Sequence, residues 1–333
     1  MRALVTGGGG FVGGAVVRAL QARGDDVVSF ARGDYPLLRD LGVQTVRGDL
    51  GEPRDVLAAA DGCDAVLHVA AKAGIWGPAA DYERSNVLGT ANVLQACRQH
   101  GISRLVHTST PSVVHAGGDI AGGDESLPYA TTFTTPYPRT KAAAERMVLT
   151  ANDLSLSTVA LRPHLVWGPG DTQLVPRILQ RARTGRLRLV AGGTAVIDTT
   201  YIDDAVDAHL LAVDRLGPGA ACAGRAYFIS SGDPRPVGEV VNAILAAGGL
   251  PPVTASVPLP VAEAAGAAAE TLWRLLRRTD DPPMTRFLAR QLATAHWFDI
   301  SAARRDLGYH PTVGVDEGMR RLAASLQASA SRD

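Results

Sequence analysis

The chain has 333 residues, 46% hydrophobic and 20% charged, which suits one large α/β domain or a main domain with a smaller lobe. Its 33 basic residues balance 33 acidic ones, so there is no electrostatic footprint for a nucleic-acid partner. The three cysteines, Cys63, Cys97 and Cys222, are widely spaced and odd in number, which speaks against a disulfide framework or a zinc site and for reduced thiols.

No secretory pattern of charged region, long apolar stretch and cleavage site precedes the first apolar run, so a cytoplasmic protein is expected. Short apolar runs at 3–6, 27–30, 45–47, 65–68, 104–108 and 158–161 have the length of buried strands. Between them, 12–23, 53–60, 86–99 and 137–151 carry helical apolar spacing. That alternation predicts an α/β fold, a doubly wound parallel (Rossmann) sheet of about six or seven strands. After Pro163, proline and glycine become frequent and helical stretches appear at 206–213 and 237–247. We therefore expect a mainly dinucleotide-binding domain over 1–165 and a smaller C-terminal substrate-binding lobe over 166–327, some of whose segments return to the first domain. Residues 328–333 read as a loose tail. The Ala-rich stretch 257–278 is interrupted by Glu263 and Glu270, too early for a membrane span, and reads as a helix packed on the lobe. Docking of Trp273 and its neighbouring arginines on a membrane surface is the alternative there.

Two features carry chemistry. Val5-Thr6-Gly7-Gly8-Gly9-Gly10-Phe11-Val12-Gly13 follows the first strand and opens a helix. Gly7 permits the tight turn, Gly10 the approach of a pyrophosphate and Gly13 close helix-strand packing. At the end of the second strand an NAD-selective site would place an acid. Here Ala31 and Arg32 stand instead, and a guanidinium pairs with a 2′-phosphate, so NADPH is the expected cofactor and NADH the less favoured one. The second feature is Tyr137-Pro138-Arg139-Thr140-Lys141, where i and i+4 spacing puts a phenol and an ammonium on one helix face. The ammonium is expected to favour the ionised phenol and so make it a usable acid or base. The spacing alone is a weak signal; the glycine loop upstream gives it meaning.

Together these residues resemble the extended short-chain dehydrogenase/reductase superfamily, and within it the 3β-hydroxysteroid dehydrogenase-like branch. The resemblance spans nearly the whole chain and includes Gly48-Asp49-Leu50, His68-Val69-Ala70-Ala71, Asn86-Val87-Leu88-Gly89-Thr90, Thr108-Ser109-Thr110, Arg162-Pro163 and Tyr201-Ile202-Asp203-Asp204. It implies that Tyr137, Lys141 and Thr110 are catalytic, with Ser109 the alternative hydroxyl. It also implies a cofactor set of Gly7, Gly10, Phe11, Val12, Gly13, Arg32, Asp49, Leu50, Ala70, Ala71, Lys72, Thr108, Tyr137, Lys141, Pro163 and Val166. Asn86 is expected to brace the active-site strand.

Where sugar dehydratases of the superfamily carry an Asp-Glu pair after the threonine, this chain has Pro111-Ser112, so water elimination is not expected. Where many nucleotide-sugar epimerases carry an asparagine, it has Leu165, which implies an apolar substrate. The stretches Ala70 to Gly77 and Thr108 to Val113 are most similar to the bacterial reductases of 2-alkyl-3-oxoalkanoic acids in olefin biosynthesis. The resemblance thus implies NADPH-dependent reduction of a hydrophobic β-keto acid to the hydroxy acid, with Ile75, Trp76 and Trp167 as candidate pocket walls and His164 or Arg177 as candidates for the carboxylate. It further implies a homodimer, with contact to a membrane surface or to another lipid-synthesis enzyme as an additional partner. A steroid or sterol-carboxylate dehydrogenase, a nucleotide-sugar epimerase and a cofactor-sensing regulator without turnover are the other readings.

Overall fold

The computed structural model describes residues 1–331. Seven strands, β1 (Arg2–Thr6), β2 (Asp26–Ala31), β3 (Gln44–Arg47), β4 (Ala65–His68), β5 (Arg104–Thr108), β6 (Ser157–Pro163) and β7 (Arg225–Ile229), make one parallel sheet. Their order is β3-β2-β1-β4-β5-β6-β7, so the winding reverses between β1 and β4 and a crevice opens at their carboxyl ends. Six of the strands lie where the apolar runs place them. The seventh, β7, comes from the glycine- and proline-rich half of the chain, where its five residues gave no separate signal.

Because alternate side chains of a strand face opposite ways, β1 packs on both faces of the sheet. Ala3 and Val5 pack with Val16, Val17 and Leu20 of the helix Phe11–Ala22 and with Ala208 and Ala212 of the helix Ile202–Arg215. Leu4 packs on the other side with Val56, Val93, Cys97 and Val148, from the helices Pro53–Ala60, Gly89–His100 and Pro136–Thr150. A fully buried leucine such as Leu4 or Leu20 contributes about 1.5–3 kcal/mol through removal of its surface from water. All three cysteines are free and buried in this layered body.

The remaining segments build a second core above the crevice. There Val175, Leu179, Ile244 and Leu245 of the helices Leu174–Arg183 and Val237–Ala247 surround Trp167 and Tyr201. Trp167 is therefore a core residue, 1% exposed with its indole N–H on Thr199 Oγ1 at 2.9 Å, and is not a pocket wall. The stretch expected to be helical over 257–278 forms the helix Leu259–Leu275, whose end leaves Leu272, Leu275 and Leu276 exposed. Among the described residues no helix is long and apolar enough to cross a membrane. The last helix, Val315–Ala330, runs through part of the segment expected to be loose, because Met319 and Leu322 anchor it on the second core. Residues 332–333 of that expected tail lie outside the described residues.

Candidate functional site

The glycine loop fills the crevice end of β1 and leaves no room for side chains. Gly7 has φ 73°, and a Cβ on it would stand 2.9 Å from Ala70 Cα. A Cβ on Gly13 would lie 2.2 Å from the Gly7 carbonyl oxygen. Gly10 is the N-cap of the helix Phe11–Ala22, which has no side-chain cap and no acid in its first turn. The first-turn N–H groups thus have no side-chain competitor, as an anion site at a helix start requires. Thr6 Oγ1 sits 2.7 Å from His68 Nδ1 and accepts from Ala70 N–H at 3.2 Å, tying the two strands at the winding reversal.

The loop opens on a cleft of about 590 Å³, and its lining includes Arg32, Asp49, Leu50, Ala70, Ala71, Lys72, Thr108, Thr110, Tyr137, Lys141, Pro163 and Val166 beside Gly7, Gly10, Phe11, Val12 and Gly13. The residues predicted from sequence for cofactor and catalysis therefore converge on one space. Arg32 is exposed at its rim. Asp49 Oδ1 accepts from Gly51 N–H at 2.8 Å, which holds its carboxyl below the ordinary value against the smaller effect of burial. Sequence reasoning missed Tyr35, whose ring lies over the loop so closely that a Cβ on Gly9 would meet it at 2.0 Å. Its nearness to Arg32 in the chain was the available signal.

Asn86 braces the cleft. Its side chain bonds the Lys72 backbone at N–H (2.7 Å) and carbonyl (3.1 Å) and donates to Thr140 Oγ1 at 3.0 Å, linking the segment after β4 to the tyrosine helix Pro136–Thr150. It stands in the wide π turn Glu83–Leu88, which precedes the helix Gly89–His100 and aims the amide inward.

Thr110 is 8% exposed at the start of a 3-10 turn, with its hydroxyl donating to Ser112 Oγ at 3.1 Å. Tyr137 faces it: burial raises the phenol above its ordinary value and the Thr110 hydroxyl offsets only part of the rise. A phenol of this kind keeps its proton at neutral pH. The expectation that Lys141 would hold the phenol down is not met in this geometry. Lys141 Nζ donates to the Thr108 carbonyl at 2.6 Å and lies 3.2 Å from His107 Nε2. A buried ammonium must find acceptors, and the carbonyl at the end of β5 and a neutral imidazole supply them. Beneath it, burial keeps His107 and His68 uncharged, the latter down at about 3.

Burial brings Lys141 itself down to about 8, with Glu145 one turn on pulling the other way. Below pH 8 the folded chain carries a buried charge that the unfolded chain, with an ordinary value of 10.5, carries in water. Between those values the unfolded state binds more protons, so this group makes stability rise with pH. Relative to the wild type, Lys141→Met is expected to be most stable below pH 8 and to lose about 3 kcal/mol of that advantage as the pH passes to 10.5. Denaturant melts of both proteins across this range check it; a pH-independent difference would sink it.

Further back, Glu145 is wholly buried and paired with Arg162 at 2.6 and 3.0 Å, while Tyr129 donates to it at 2.7 Å. Burial pushes the Glu145 carboxyl up, but the guanidinium outweighs it and holds the group below its ordinary value.

A second cavity, of about 650 Å³, adjoins the cleft and is lined by Ile75, Trp76, Phe133, Trp273, Phe287 and Gln291 among others. Phe287 and Gln291, one turn apart on the helix Arg286–Ala293, line both spaces and so join them. They escaped sequence reasoning because only folding brings that late helix to the crevice. Of the candidates for a substrate carboxylate, His164 has both ring nitrogens bonded, to Asp198 and His296, and Arg177 pairs with Asp281 and lines neither cavity.

The description of the 3-beta hydroxysteroid dehydrogenase/isomerase family matches residues 4–260. A 2-alkyl-3-oxoalkanoate reductase of Stenotrophomonas maltophilia is 56% identical over 330 residues, covering 98% of this chain and 100% of that protein. A protein of the same name from Shewanella oneidensis is 51% identical over 332 residues, covering 97% and 86%. Among solved structures, MoeE5 in complex with UDP-glucose and NAD superposes with a TM-score of 0.76 at 27% identity, covering 99% of this chain and 100% of that one.

Proposed function

The chain belongs to the 3-beta hydroxysteroid dehydrogenase/isomerase family and is an NAD(P)-dependent oxidoreductase, and from that membership we propose that it reduces a long-chain 2-alkyl-3-oxoalkanoic acid to the 2-alkyl-3-hydroxyalkanoic acid with NADPH, as a step of hydrocarbon biosynthesis. The observation that carries the reading is full-length identity of 56% to a reductase of that name, joined to a cleft in which Tyr137, Thr110 and Lys141 meet the glycine loop.

The residues present fit a dinucleotide, since the helix start at Gly10 is uncapped, has no acid in its first turn and opens on the cleft. Gly7, Gly10 and Gly13 would hold its pyrophosphate, Asp49 and Leu50 its adenine end, and Pro163 and Val166 its nicotinamide end. The bound nicotinamide supplies the hydride for the ketone carbon. Tyr137 donates its proton to the carbonyl oxygen, and because burial raises its phenol above the ordinary value it holds that proton at neutral pH. Thr110 hydrogen-bonds the same oxygen, and Lys141 would bind the nicotinamide ribose. Pro111 and Ser112 offer no acid-base pair, so the hydroxy product is not dehydrated at this site. The apolar walls Ile75, Trp76, Phe133 and Trp273 suit alkyl chains, and Arg274, Arg277, Arg278, Arg286 and Arg290 on the same cavity suit an acidic group.

The test follows cofactor oxidation with a panel of long-chain 2-alkyl-3-keto acids, steroid ketones and nucleotide sugars. Turnover of the keto acids is expected, and activity on nucleotide sugars alone would overturn the reading. In the same assay NADPH should outperform NADH, and Arg32→Ala should cut that preference by about tenfold or more through loss of a charge-assisted phosphate contact. A wild-type enzyme that prefers NADH removes the role given to Arg32.

A further inference from the structure

Behind the loop 163–166 stands a buried trio, Asp198, His164 and His296, that the reaction just described does not use. Asp198 is wholly buried, and His164 and His296 are 6% and 5% exposed. His164 Nδ1 lies 2.5 Å from Asp198 Oδ1, and Asp198 Oδ2 accepts from Phe298 N–H at 3.0 Å. On the other side of the ring, His164 Nε2 lies 3.1 Å from His296 Nδ1, and His296 Nε2 lies 2.8 Å from the Gln291 carbonyl oxygen.

Hydrogen-bond bookkeeping fixes how many protons this chain holds. A carbonyl only accepts, so His296 Nε2 carries a proton. Burial, and then the neighbouring His164, bring His296 down to about 4, so it is neutral and its Nδ1 presents a lone pair. His164 Nε2 must therefore donate. One further proton must lie between His164 Nδ1 and Asp198 Oδ1, whichever atom keeps it. The complete chain thus holds one proton more than an ionised carboxylate with two neutral imidazoles. If that proton leaves, one contact joins two lone pairs wherever the others settle. The other titratable group at the trio is His115, whose ring stands edge-on to His296 at 5.8 Å and lies near Asp119 in turn.

The same residues grip the loop. His164 N–H donates to the Ile229 carbonyl at 3.0 Å, and Thr200, two residues after Asp198, donates from its hydroxyl to the His164 carbonyl at 2.8 Å. Between these grips Leu165 has φ 43°, a left-handed conformation that a branched side chain keeps only when its surroundings impose it. Pro163, His164, Leu165 and Val166 all line the cleft.

We propose that Asp198, His164 and His296 are positioning residues that hold the strained loop 163–166 in its dinucleotide-binding shape, and that this lock is complete only while the trio keeps its shared proton. The inference rests on the reading of the cleft as a dinucleotide site. It separates two substitutions that a purely structural role would treat alike. In Asp198→Asn the amide carbonyl accepts from Phe298 and the NH₂ donates to His164 Nδ1, so every bond is made with both imidazoles neutral and no extra proton. In Asp198→Ala the chain is broken at any pH.

The experiment is a fluorescence titration of NADPH into wild type, D198N and D198A across neutral and alkaline pH. D198N is expected to bind within about twofold of wild type near neutrality and to weaken less on going alkaline, while D198A binds about fivefold or more weakly throughout. Loss of charge at Lys141 weakens all three and cancels in the comparison. D198A binding as tightly as wild type, or D198N following the wild-type pH curve, overturns the proposal. If D198A does not fold, nitrogen-15 spectra of the wild-type histidines decide instead. A His164 protonated on both nitrogens supports the lock, and a singly protonated His164 beside a neutral His296 and an ionised Asp198 overturns it. A wild type that binds neither dinucleotide would instead sink the cofactor reading.

Discussion

Tyr137→Phe is expected to lower the turnover number by about 10²–10⁴-fold, the range of a positioned general acid, while leaving the dissociation constant of the cofactor unchanged. Its effect is confined to one atom. The ring remains on the helix Pro136–Thr150, Lys141 keeps its contact with the Thr108 carbonyl at 2.6 Å, and only the hydroxyl that faces Thr110 is lost. A group that acts only in the transition state lowers kcat and kcat/KM together and leaves KM nearly as it was, so steady-state kinetics with a direct measurement of cofactor binding isolates the role. The same variant separates an enzyme from a cofactor sensor, which would need the glycine loop and no proton donor. The direction of the phenol shift adds a second expectation. Because burial raises it, wild-type ketone reduction should not gain from alkaline pH, as it would if the tyrosinate were the working form. An unchanged rate in Tyr137→Phe removes the tyrosine from the mechanism.

The contrast between Tyr137 and Lys141 shows what a linear motif conveys. Their i and i+4 spacing puts both on one helix face, and the fold brings both to the cleft. Where the lysine then points depends on the Thr108 carbonyl and on His107, both on β5 and more than thirty residues upstream, and no spacing rule contains that. Five of the six strands found from apolar runs are largely buried on both faces, where composition and environment coincide, and only the edge strand β3 is half-exposed. Strand β7 escaped because five residues among glycines and prolines do not stand out. Trp167 misled in the other direction: a large aromatic near the cleft in sequence is at the centre of the second core in space. Tyr35, His164 and the helix pair Phe287 and Gln291 reach the cleft from three places along the chain, and it is packing rather than local pattern that gathers them.

Gly13→Ala should have the largest effect of any single methyl added to this protein. In most helices the exchange is favourable by about 1 kcal/mol, since alanine loses less backbone entropy. Here the added Cβ would lie 2.2 Å from the Gly7 carbonyl oxygen and 2.7 Å from its carbon, and neither is the end of a side chain that swings aside. Relief requires either the helix Phe11–Ala22 to lift from β1 or the turn at Gly7 to move. The first breaks the packing of Val16, Val17 and Leu20 on the sheet. The second is blocked, because Gly7 N–H is bonded to the Phe30 carbonyl at 2.7 Å and Gly7 approaches Ala70 as closely as a glycine can. Overpacking of this kind costs about 1–3 kcal/mol of stability. The larger loss is functional, because displacing the helix start moves the N–H groups that would meet the pyrophosphate. Cofactor affinity should fall by about 100-fold or more, some 2.7 kcal/mol. A thermal melt and a cofactor titration of the same preparation check both halves. A variant that melts lower yet binds with wild-type affinity would show that the clash is relieved away from the turn, and the pyrophosphate would then have to be held by something other than this loop.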